Sequence, residues 1–238
     1  MRIAIITGAA QGLGLDMACR FAKEGYKVVA LDIKECTAPT TDYIETDLAN
    51  PTSIIRSFSL IKQRYGKAHV LVNNGAISAF VKHICAVSLE DYDSVLDTNL
   101  RGAFVCAREF IALNKGEDYG RIINIASTRW HQNMANWELY GMSKGGIVSL
   151  TNSLCVSLRG TNITVNAISP GHIHTGDDQD LSPTDHHLHP SNRVGTPRDI
   201  SNVALFLANE ENDFVNGANI LVDGGMTKRM IYLDGEEE

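Results

Sequence analysis

Short apolar segments alternate with amphipathic helical segments along almost the whole chain, and this alternation constrains the fold more than any other feature. The segments typical of buried strands lie at 3–7, 27–32, 43–46, 70–73, 121–126, 163–168 and 219–222. Those with helical spacing lie at 13–24, from 51 onward, at 88–113, at 139–158 and at 196–208, and 88–113 fits either one bent helix or two. Strands that are separated by helices form a parallel sheet with helices on both faces. We therefore predict a single doubly wound α/β domain of about seven strands over residues 1–238.

Composition excludes several function classes. The chain has 238 residues with 28 acidic and 21 basic side chains, and the formal net charge of −7 argues against a primary role in binding nucleic acid or an anionic membrane. No apolar run approaches ~18 residues, and the first one is too short for a signal-peptide core, so we expect neither a membrane span nor a leader. The cysteines lack a C-x-x-C pair, which favours reduced thiols in a cytoplasmic protein: Cys19, Cys36, Cys85, Cys106 and Cys155.

A glycine-rich turn follows the first apolar segment directly, and it contains Gly8, Gln11, Gly12, Leu13 and Gly14. Glycines at such a turn let a pyrophosphate approach the backbone N–H groups at a helix N-terminus. The order Gly-x-x-x-Gly-x-Gly is a variant of the dinucleotide-binding pattern of Rossmann-like folds. An ordinary strand-to-helix turn explains the glycines equally well when they are considered alone.

Asp32 makes a dinucleotide site the better interpretation of this turn. It ends the second predicted strand, 20 residues after Gly12, where a carboxylate can accept hydrogen bonds from a ribose 2′-hydroxyl. The same carboxylate repels a 2′-phosphate, and neither Gln11 nor Ile33 supplies a compensating cation. We therefore favour NAD(H) over NADP(H), although Lys34 lies close enough to keep the second alternative open.

Tyr140 and Lys144 are the strongest candidates for catalysis. They are four residues apart on a predicted helix, so both side chains point from one face. We expect the ammonium to lower the tyrosine pKa from its reference near ~10, which would make the phenol an acid/base group near neutrality. Ser127, just past a predicted buried strand, can hydrogen-bond the same substrate oxygen, and Asn99 can hold a water that passes protons from Lys144 to solvent.

At this point the sequence resembles the short-chain dehydrogenase/reductase family, in its compact single-domain branch. The resemblance covers roughly residues 3 to 225 and depends on the order of several motifs. These are the Thr-Gly-x-x-x-Gly-x-Gly run at 7–14, Asp47-Leu48, Asn73-Asn74, Asn99, Ser127, Tyr140 with Lys144, Pro170-Gly171 and Asp223-Gly224-Gly225.

The resemblance implies an alcohol dehydrogenase or ketone reductase in which Asn99, Ser127, Tyr140 and Lys144 form the catalytic tetrad. It implies that Asp47 and Leu48 lie near the adenine, that Asn74, Gly75 and Ala76 line the adenosine side, and that Pro170, Gly171, Ile173 and Thr175 meet the carboxamide. One departure is that the family has Asn-Asn-Ala-Gly where this chain has Asn-Asn-Gly-Ala at 73–76. The permissive glycine is thus moved by one position, and the local backbone is expected to shift.

Substrate specificity is expected to depend on a variable loop at 176–194 and on Arg129, Trp130, Trp137 and His172. Arg129 can recognise a carboxylate or a polyhydroxyl substrate, and the tryptophans can stack on a ring; equally, these residues can cover the sheet edge or contact another subunit. We expect a small polar substrate, such as a sugar or polyol. The loop is rich in aspartate and histidine. No two of its histidines have helical i, i+4 spacing with a carboxylate partner, so we predict a polar lid and no metal.

The sequence leaves two alternative functions open, and it also predicts self-association. The functions are an NADPH-dependent 3-oxoacyl reductase, against which Asp32 argues, and a non-catalytic NAD-binding sensor or scaffold. Apolar side chains on more than one face of a helix pair, together with the resemblance, predict a homotetramer or homodimer: Phe104, Val105, Phe110, Ile147, Val148 and Leu154. The tail at 226–238 is expected to reach a neighbouring subunit and then to fray.

Overall fold

The strands of the computed structural model form one parallel sheet. The model describes residues 1–39, 41–176 and 181–230. Its strands are β1 (Ile3–Thr7), β2 (Lys27–Asp32), β3 (Thr41–Glu45), β4 (Val70–Asn73), β5 (Gly120–Ile125), β6 (Ile163–Pro170) and β7 (Asn219–Val222). They lie in the order β3-β2-β1-β4-β5-β6-β7, and each neighbouring pair is parallel. This confirms the predicted doubly wound α/β sheet.

Two strands are longer than the sequence pattern predicts. β3 begins two residues before the predicted start, because Thr41 already pairs with Val28 of β2. β6 continues to Pro170, which lies opposite Val222 of the last strand. A proline at the last residue of a strand is tolerated because it withdraws only its own N–H from the sheet.

The helices of the described residues follow the predicted positions closely, except in two places. They are α1 (Gly12–Lys23), α2 (Pro51–Tyr65), α3 (Leu89–Leu96), α4 (Gly102–Leu113), α5 (Glu138–Ser157), α6 (Pro183–His187) and α7 (Pro197–Ala208). Between α3 and α4 the chain forms a π-helical turn, Asp97–Arg101, so the long helical segment is two helices joined without a loop. The short α6 was not predicted.

Side chains cap the starts of α2 and α3. Ser88 and Asp91 form a capping box at α3: the Ser88 hydroxyl accepts the Asp91 N–H and the Asp91 carboxylate accepts the Ser88 N–H. Pro51 occupies the first turn of α2, whose N-cap is Asn50, and α2 ends at Gly66 in the left-handed conformation. These local contacts explain why the helix bounds could be read from the sequence.

Helices pack on both faces of the sheet and bury a separate apolar layer on each. On one face α1 and α7 cover β1, β4 and β5 with side chains such as Met17, Phe21 and Leu207. On the other face α2 and α4 contribute Phe58 and Phe110, and α5 lies beside α4. The inner strands β1, β2, β4, β5 and β6 are therefore buried on both sides, which is why most of their residues are apolar, whereas β3 and β7 at the sheet edges are only partly buried.

Strand order reverses between β1 and β4, and this reversal opens a crevice at the carboxyl ends of the strands. From β1 the chain proceeds outward to β2 and β3, and then returns to place β4 on the other side of β1. The glycine-rich turn follows β1, and Asn74 with Gly75 follows β4, so both segments lie at the reversal. In open α/β sheets, ligands bind at such a switch point.

Several sequence expectations fall partly outside the described residues. Of the loop at 176–194, Asp177, Asp178 and Asp180 are not described, and of the tail at 226–238 only 226–230 is, with a 3₁₀ turn at Met226–Lys228. Each of the five cysteines is a free thiol. Within the described ranges, no helix combines the length and the apolar character that crossing a membrane requires.

Candidate active site

A cleft of about 570 Å³ lies at the carboxyl ends of the strands, at the switch point. It brings together nearly all the predicted cofactor residues, which come from segments as far apart as the first and sixth strands. Its lining includes Gly8, Gln11, Gly12, Leu13, Asp32, Asp47, Leu48, Asn74, Gly75, Ala76, Pro170, Gly171, Ile173 and Thr175, together with Ser127, Tyr140 and Lys144. Of the predicted cofactor and catalytic residues, Gly14 and Asn99 do not line the cleft.

The glycine-rich turn is shaped by close backbone contacts that exclude side chains. Gly8 and Gly12 have φ values of +64° and +55°, in the left-handed region that favours glycine. A Cβ atom on Gly14 would lie 2.0 Å from the carbonyl oxygen of Gly8, so the first turn of α1 packs directly on the loop. Gln11, the N-cap of α1, makes no side-chain capping bond, which leaves the first N–H groups of the helix without a side-chain acceptor.

The carboxylate of Asp32 is held between the two loops that border this part of the cleft. One oxygen accepts the backbone N–H of Ala10 at 2.9 Å, and the other accepts the N–H of Lys34 at 3.0 Å. Each carboxylate oxygen has a second lone pair, so the group keeps acceptor capacity toward the cleft. Lys34 also lines the cleft.

The Asn-Asn-Gly-Ala segment is fastened to the glycine-rich turn. The Thr7 hydroxyl accepts the N–H groups of both Asn74 and Gly75, and the Asn74 amide donates to the carbonyl oxygens of Thr7 and Gly8 at 3.0 Å. A Cβ on Gly8 would lie 2.5 Å from the Gly75 Cα atom. Gly75 does not have a positive φ. The displaced glycine therefore serves the close approach of two loops rather than an unusual backbone conformation.

Tyr140 lies in the cleft near the start of α5, where its phenol is largely buried. Burial raises the pKa of Tyr140 above its ordinary value, while a hydrogen bond with the Ser127 side chain and the positive charge of Arg129 lower it in part. This differs from the expectation that Lys144 lowers the tyrosine pKa. Burial is the largest influence on the Tyr140 pKa, and the Lys144 Nζ atom, 5.6 Å from the centre of the Tyr140 ring, donates its hydrogen bond to a backbone carbonyl.

Lys144 is buried beneath Tyr140, one helical turn further along α5. Its Nζ atom donates a 2.7 Å hydrogen bond to the carbonyl oxygen of Ile125, the last residue of β5. Burial lowers the pKa of Lys144 to about 8. The side chain also lines the cleft, so it remains available to a ligand there.

Asn99 occupies the π-helical turn, and its side-chain amide is fully engaged inside the protein. The amide oxygen accepts the Ile77 N–H at 2.7 Å, and the nitrogen donates to the Ile77 carbonyl and to the Ser143 hydroxyl, both at 3.1 Å. The side chain thus links the loop after β4 to α5 next to Lys144. A role in holding a water stays a prediction, and these contacts show that the amide groups already have protein partners.

The residues predicted to contact substrate lie around the cleft and do not line it. The Arg129 guanidinium stacks on the Trp137 ring at 3.9 Å, and Trp137 packs edge-on against Tyr140 with ring centres 5.8 Å apart. Trp130 is partly exposed and contacts His131, whereas His172 lies beside His189. The cleft is also lined by Ile77, Ser78 and Thr98, which belong to none of the sequence motifs. The one signal for them in the sequence is that they lie close to Asn74 and Asn99 along the chain.

The described part of the loop at 176–194 contains more structure than a polar lid requires. Ser182 and Asp185 form a capping box that begins α6, and His189 is buried, with its Nδ1 atom 2.9 Å from the Asp185 carbonyl oxygen. Within residues 1–39, 41–176 and 181–230, no group of three histidine, cysteine, aspartate or glutamate side chains is placed to hold a metal ion.

A dinucleotide fits the residues that are present. The cleft runs from the uncapped N-terminus of α1 past Asp32 on one side to Tyr140 and Lys144 on the other. The glycines leave room where a Cβ atom would collide with backbone, which allows a phosphate to approach the N–H groups. A parallel sheet with such a cleft at its switch point is the architecture of a Rossmann-type dinucleotide-binding domain.

Comparisons with known proteins identify the family within this class. A family model described as enoyl-(acyl carrier protein) reductase matches residues 8–227. An uncharacterized oxidoreductase of Thermotoga maritima is 39% identical, with 97% of this chain and 98% of the relative covered. The 3-oxoacyl-[acyl-carrier-protein] reductase MabA of Mycobacterium tuberculosis is 32% identical, with 94% and 92% covered. The chain belongs to the short-chain dehydrogenase/reductase family, whose enzymes act on CH–OH groups with NAD(P)(H).

Solved structures have the same fold over nearly their full lengths. An apo SCOR enzyme from Clostridium thermocellum has a TM-score of 0.90 at 36% identity, covering 100% of this chain and 97% of that one. The ligand-free aldohexose dehydrogenase of Thermoplasma acidophilum has a TM-score of 0.91 at 29% identity, with 99% and 97% covered. A 4-hydroxyisoleucine dehydrogenase complexed with NADH has a TM-score of 0.89 at 27% identity, with 97% and 100% covered.

Proposed function

We propose that this protein is an NAD(H)-dependent oxidoreductase that interconverts a secondary alcohol and a ketone, with Tyr140 as the acid/base. The observation that carries the proposal is the position of the Tyr140 phenol in the cleft that the glycine-rich turn borders. The phenol is hydrogen-bonded to the Ser127 side chain, and the buried Lys144 lies one helical turn away. A small polar substrate, such as a sugar or polyol, is the class we favour. The similarity to an aldohexose dehydrogenase supports that choice.

The residues divide the work between proton transfer and binding. Tyr140 takes the hydroxyl proton in the oxidising direction and returns it to the ketone oxygen in the reducing direction, while Ser127 orients the same oxygen. The ammonium of Lys144 binds ribose hydroxyls. Asn99 fixes α5 and the loop at Ile77 so that these groups keep their spacing. The bound nicotinamide supplies or accepts the hydride.

Asp32 supports NAD(H) as the cofactor. Its carboxylate lines the cleft and is fixed by the N–H groups of Ala10 and Lys34, so a 2′-phosphate at this place would meet a negative charge. The remaining proposed contacts follow the cleft, with Asp47 and Leu48 near the adenine and Ile173 and Thr175 near the carboxamide. Asp32→Ser should raise kcat/KM with NADP relative to NAD, and Lys34→Gln should change the ratio in the opposite direction. An unchanged ratio in Asp32→Ser would refute the role of this carboxylate.

The experiment that tests the proposed function is a panel of sugars, polyols, hydroxy acids and secondary alcohols, with turnover followed by nicotinamide absorbance. NAD and NADP are used in parallel, and Tyr140→Phe protein serves as the blank. We expect turnover that needs both NAD and Tyr140, while Tyr140→Phe still binds NADH. Full turnover by Tyr140→Phe would rule out the proposed mechanism. NADH binding without turnover of any compound would favour a sensor or scaffold instead.

An NADPH-dependent 3-oxoacyl reductase is the second candidate. Two observations favour it: Lys34 lines the cleft near Asp32, and MabA is one of the similar proteins. The two candidates separate in one assay, since acetoacetyl-CoA reduction with NADPH that exceeds reduction with NADH would select the second.

Self-association and a cytoplasmic location complete the proposal. Of the apolar side chains predicted to form an interface, Val105, Phe110 and Ile147 are buried inside the chain, whereas Phe104 is 49% exposed. Phe104 borders a surface groove that is also lined by Tyr92, Leu96, Leu100 and Leu150. A second copy of this chain is the proposed occupant, and Phe104→Glu should reduce the mass measured by light scattering.

The five free thiols support the proposed cytoplasmic location, because free thiols are typical of a reducing compartment.

A further inference from the structure

Arg129 is a half-buried cation that the structure fixes close to the proposed reacting group. Its guanidinium carbon lies 3.9 Å from the centre of the Trp137 ring, and the Trp137 ring packs edge-on against the Tyr140 ring with centres 5.8 Å apart. Stacking on an indole holds a guanidinium in one plane and restricts its rotamers. The cation therefore has a defined position one aromatic ring away from the Tyr140 phenol.

The backbone of Arg129 is equally constrained. Its N–H donates to the Ser127 hydroxyl at 3.3 Å, and its carbonyl oxygen accepts the Asn133 amide at 2.6 Å. Gly141 packs against the same segment, since a Cβ there would lie 2.2 Å from the Asn133 amide nitrogen and 3.1 Å from the Arg129 carbonyl oxygen. The helix turn that carries Tyr140 and the turn that carries Arg129 thus form one packed unit.

No carboxylate of the described residues pairs with this guanidinium. Its side-chain hydrogen bond is a 3.3 Å contact with the Met134 sulfur, and a thioether is a weak acceptor. Arg101 and Arg193, by contrast, form ion pairs with Asp97 and Asp199. Burial lowers the pKa of Arg129, which reflects the cost of withdrawing its charge from water without an anion to replace the water.

We propose that Arg129 binds an anionic group of the substrate, a carboxylate in the first instance, so that the enzyme acts on a hydroxy acid and its keto acid. The inference rests on the proposed alcohol–ketone chemistry of Tyr140, and it replaces the neutral sugar or polyol favoured above with an anionic substrate. The guanidinium presents donors in a planar fork that matches the two oxygens of a carboxylate. The rigid link through Trp137 then sets the distance between the bound carboxylate and the hydroxyl that faces Tyr140. A neutral substrate would leave this half-buried cation without an anion among the described residues.

The test compares acids with their neutral derivatives in the parent protein and in Arg129 variants. The substrates are 2-, 3- and 4-hydroxybutyrate with their methyl esters, in the presence of NAD. We expect the parent protein to prefer one acid over its ester, and Arg129→Gln to lower kcat/KM for that acid by about 30-fold or more while changing the ester little. Arg129→Lys should restore part of the loss, because it returns a charge without the fork. Arg108→Gln, at an exposed arginine of α4, is the matched control.

A binding measurement separates this inference from the proposed function. The keto acids and their methyl esters are added to the protein with NADH, and the shift in melting temperature is recorded for the parent, Arg129→Gln and Tyr140→Phe. We expect the keto acid to stabilise the parent and Tyr140→Phe but not Arg129→Gln. Retained NADH binding and an unchanged melting temperature without ligand would show that Arg129→Gln is folded.

Each pattern of results decides one claim. Acid-selective binding that needs Arg129, in a protein that oxidises neither the hydroxybutyrates nor any compound of the alcohol panel, would support the anion site and contradict the proposed oxidoreductase chemistry. Turnover of esters and neutral alcohols as efficient as that of the acids, unaffected by Arg129→Gln, would overturn the anion site while the proposed function stands. Equal stabilisation of the parent and Arg129→Gln by the keto acid would overturn it as well.

Discussion

The Lys144 ammonium donates a 2.7 Å hydrogen bond to the carbonyl oxygen of Ile125. The bond joins the second turn of α5 to the carboxyl end of β5, and both residues line the cleft. A carbonyl dipole stabilises the ammonium only in part, and burial lowers the Lys144 pKa to about 8. The buried charge next to Tyr140 therefore lowers the free energy of unfolding, a loss of stability that is common at functional sites.

Lys144→Met should abolish turnover and change how stability depends on pH. In the folded protein Lys144 loses its proton near pH 8, whereas in the unfolded chain it stays protonated to about 10.4. The penalty on the folded state is therefore full below pH 8 and disappears as pH rises toward 10.4. The free energy of unfolding of the parent should gain on that of Lys144→Met by roughly 2–4 kcal/mol between these limits.

Denaturant unfolding at pH 7, 8.5 and 10 measures this difference. Lys115→Met, at an exposed lysine, is the control and should show no such trend. A constant difference between the parent and Lys144→Met at all three pH values would contradict the prediction.

Ser127→Ala should move the pH profile of alcohol oxidation to higher pH. Oxidation requires Tyr140 to accept a proton, and the hydrogen bond with Ser127 lowers a tyrosine pKa that burial has raised. Without the hydroxyl, the midpoint of kcat/KM against pH should rise. Ser127→Thr keeps the hydroxyl and should keep the midpoint. A midpoint that stays fixed or falls in Ser127→Ala would show that Ser127 does not tune Tyr140.

Gly14→Ala should disrupt cofactor binding, whereas Gly145→Ala should not. A Cβ on Gly14 would lie 2.0 Å from the Gly8 carbonyl oxygen and 2.7 Å from the Asn74 amide nitrogen, so the glycine-rich turn must move. A Cβ on Gly145 meets nothing within 4 Å, and alanine in a helix stabilises by about 0.5–1 kcal/mol. Titration with NADH should show at least a ~10-fold weaker affinity for Gly14→Ala only, for a loss of about 1.4 kcal/mol or more. Equal affinities for the two variants would refute a phosphate site at this turn.

Asp199→Ala should destabilise the start of α7, which follows the loop at 176–194. Asp199 accepts the N–H and hydroxyl of Thr196 and forms a two-point ion pair with Arg193. Both side chains of the pair are partly exposed, so screening reduces its contribution, and the expected loss is about 1–2 kcal/mol. Unfolding by denaturant at pH 7 measures it, with the exposed Asp93→Ala as control.

The loss from Asp199→Ala should also depend on pH in a defined direction. Hydrogen bonding with Arg193 holds the Asp199 pKa well below its ordinary value, so the folded protein keeps the carboxylate charged where the unfolded chain is already protonated. The contribution is present above about pH 4 and is lost as pH falls further. The stabilities of the parent and Asp199→Ala should converge in acid. A difference that grows below pH 4 would contradict this assignment.

The sequence determined the order and most of the bounds of the regular elements. β1, β2, β4 and β7 span the predicted residues because the strands of a helix-covered parallel sheet are mostly apolar runs that end at polar residues or glycine. α7 begins at Pro197 after Thr196, as its capping residues indicate. The five-residue α6 is too short for a periodic pattern, and the π-helical turn at Asp97–Arg101 lies within a continuous helical pattern, so neither could be read from spacing.

The sequence by itself also determined which residue types could carry the chemistry, because motifs fix the spacing of Tyr140 and Lys144 along one helix face. Only the tertiary structure decided their environment. Burial raises the pKa of Tyr140 against the expected direction, since the chain that surrounds the phenol comes from distant strands. The stacking of Arg129 on Trp137 likewise depends on how the turn after β5 packs against α5. Spacing is a local property of the chain, whereas burial and charge pairing depend on residues that only folding brings together.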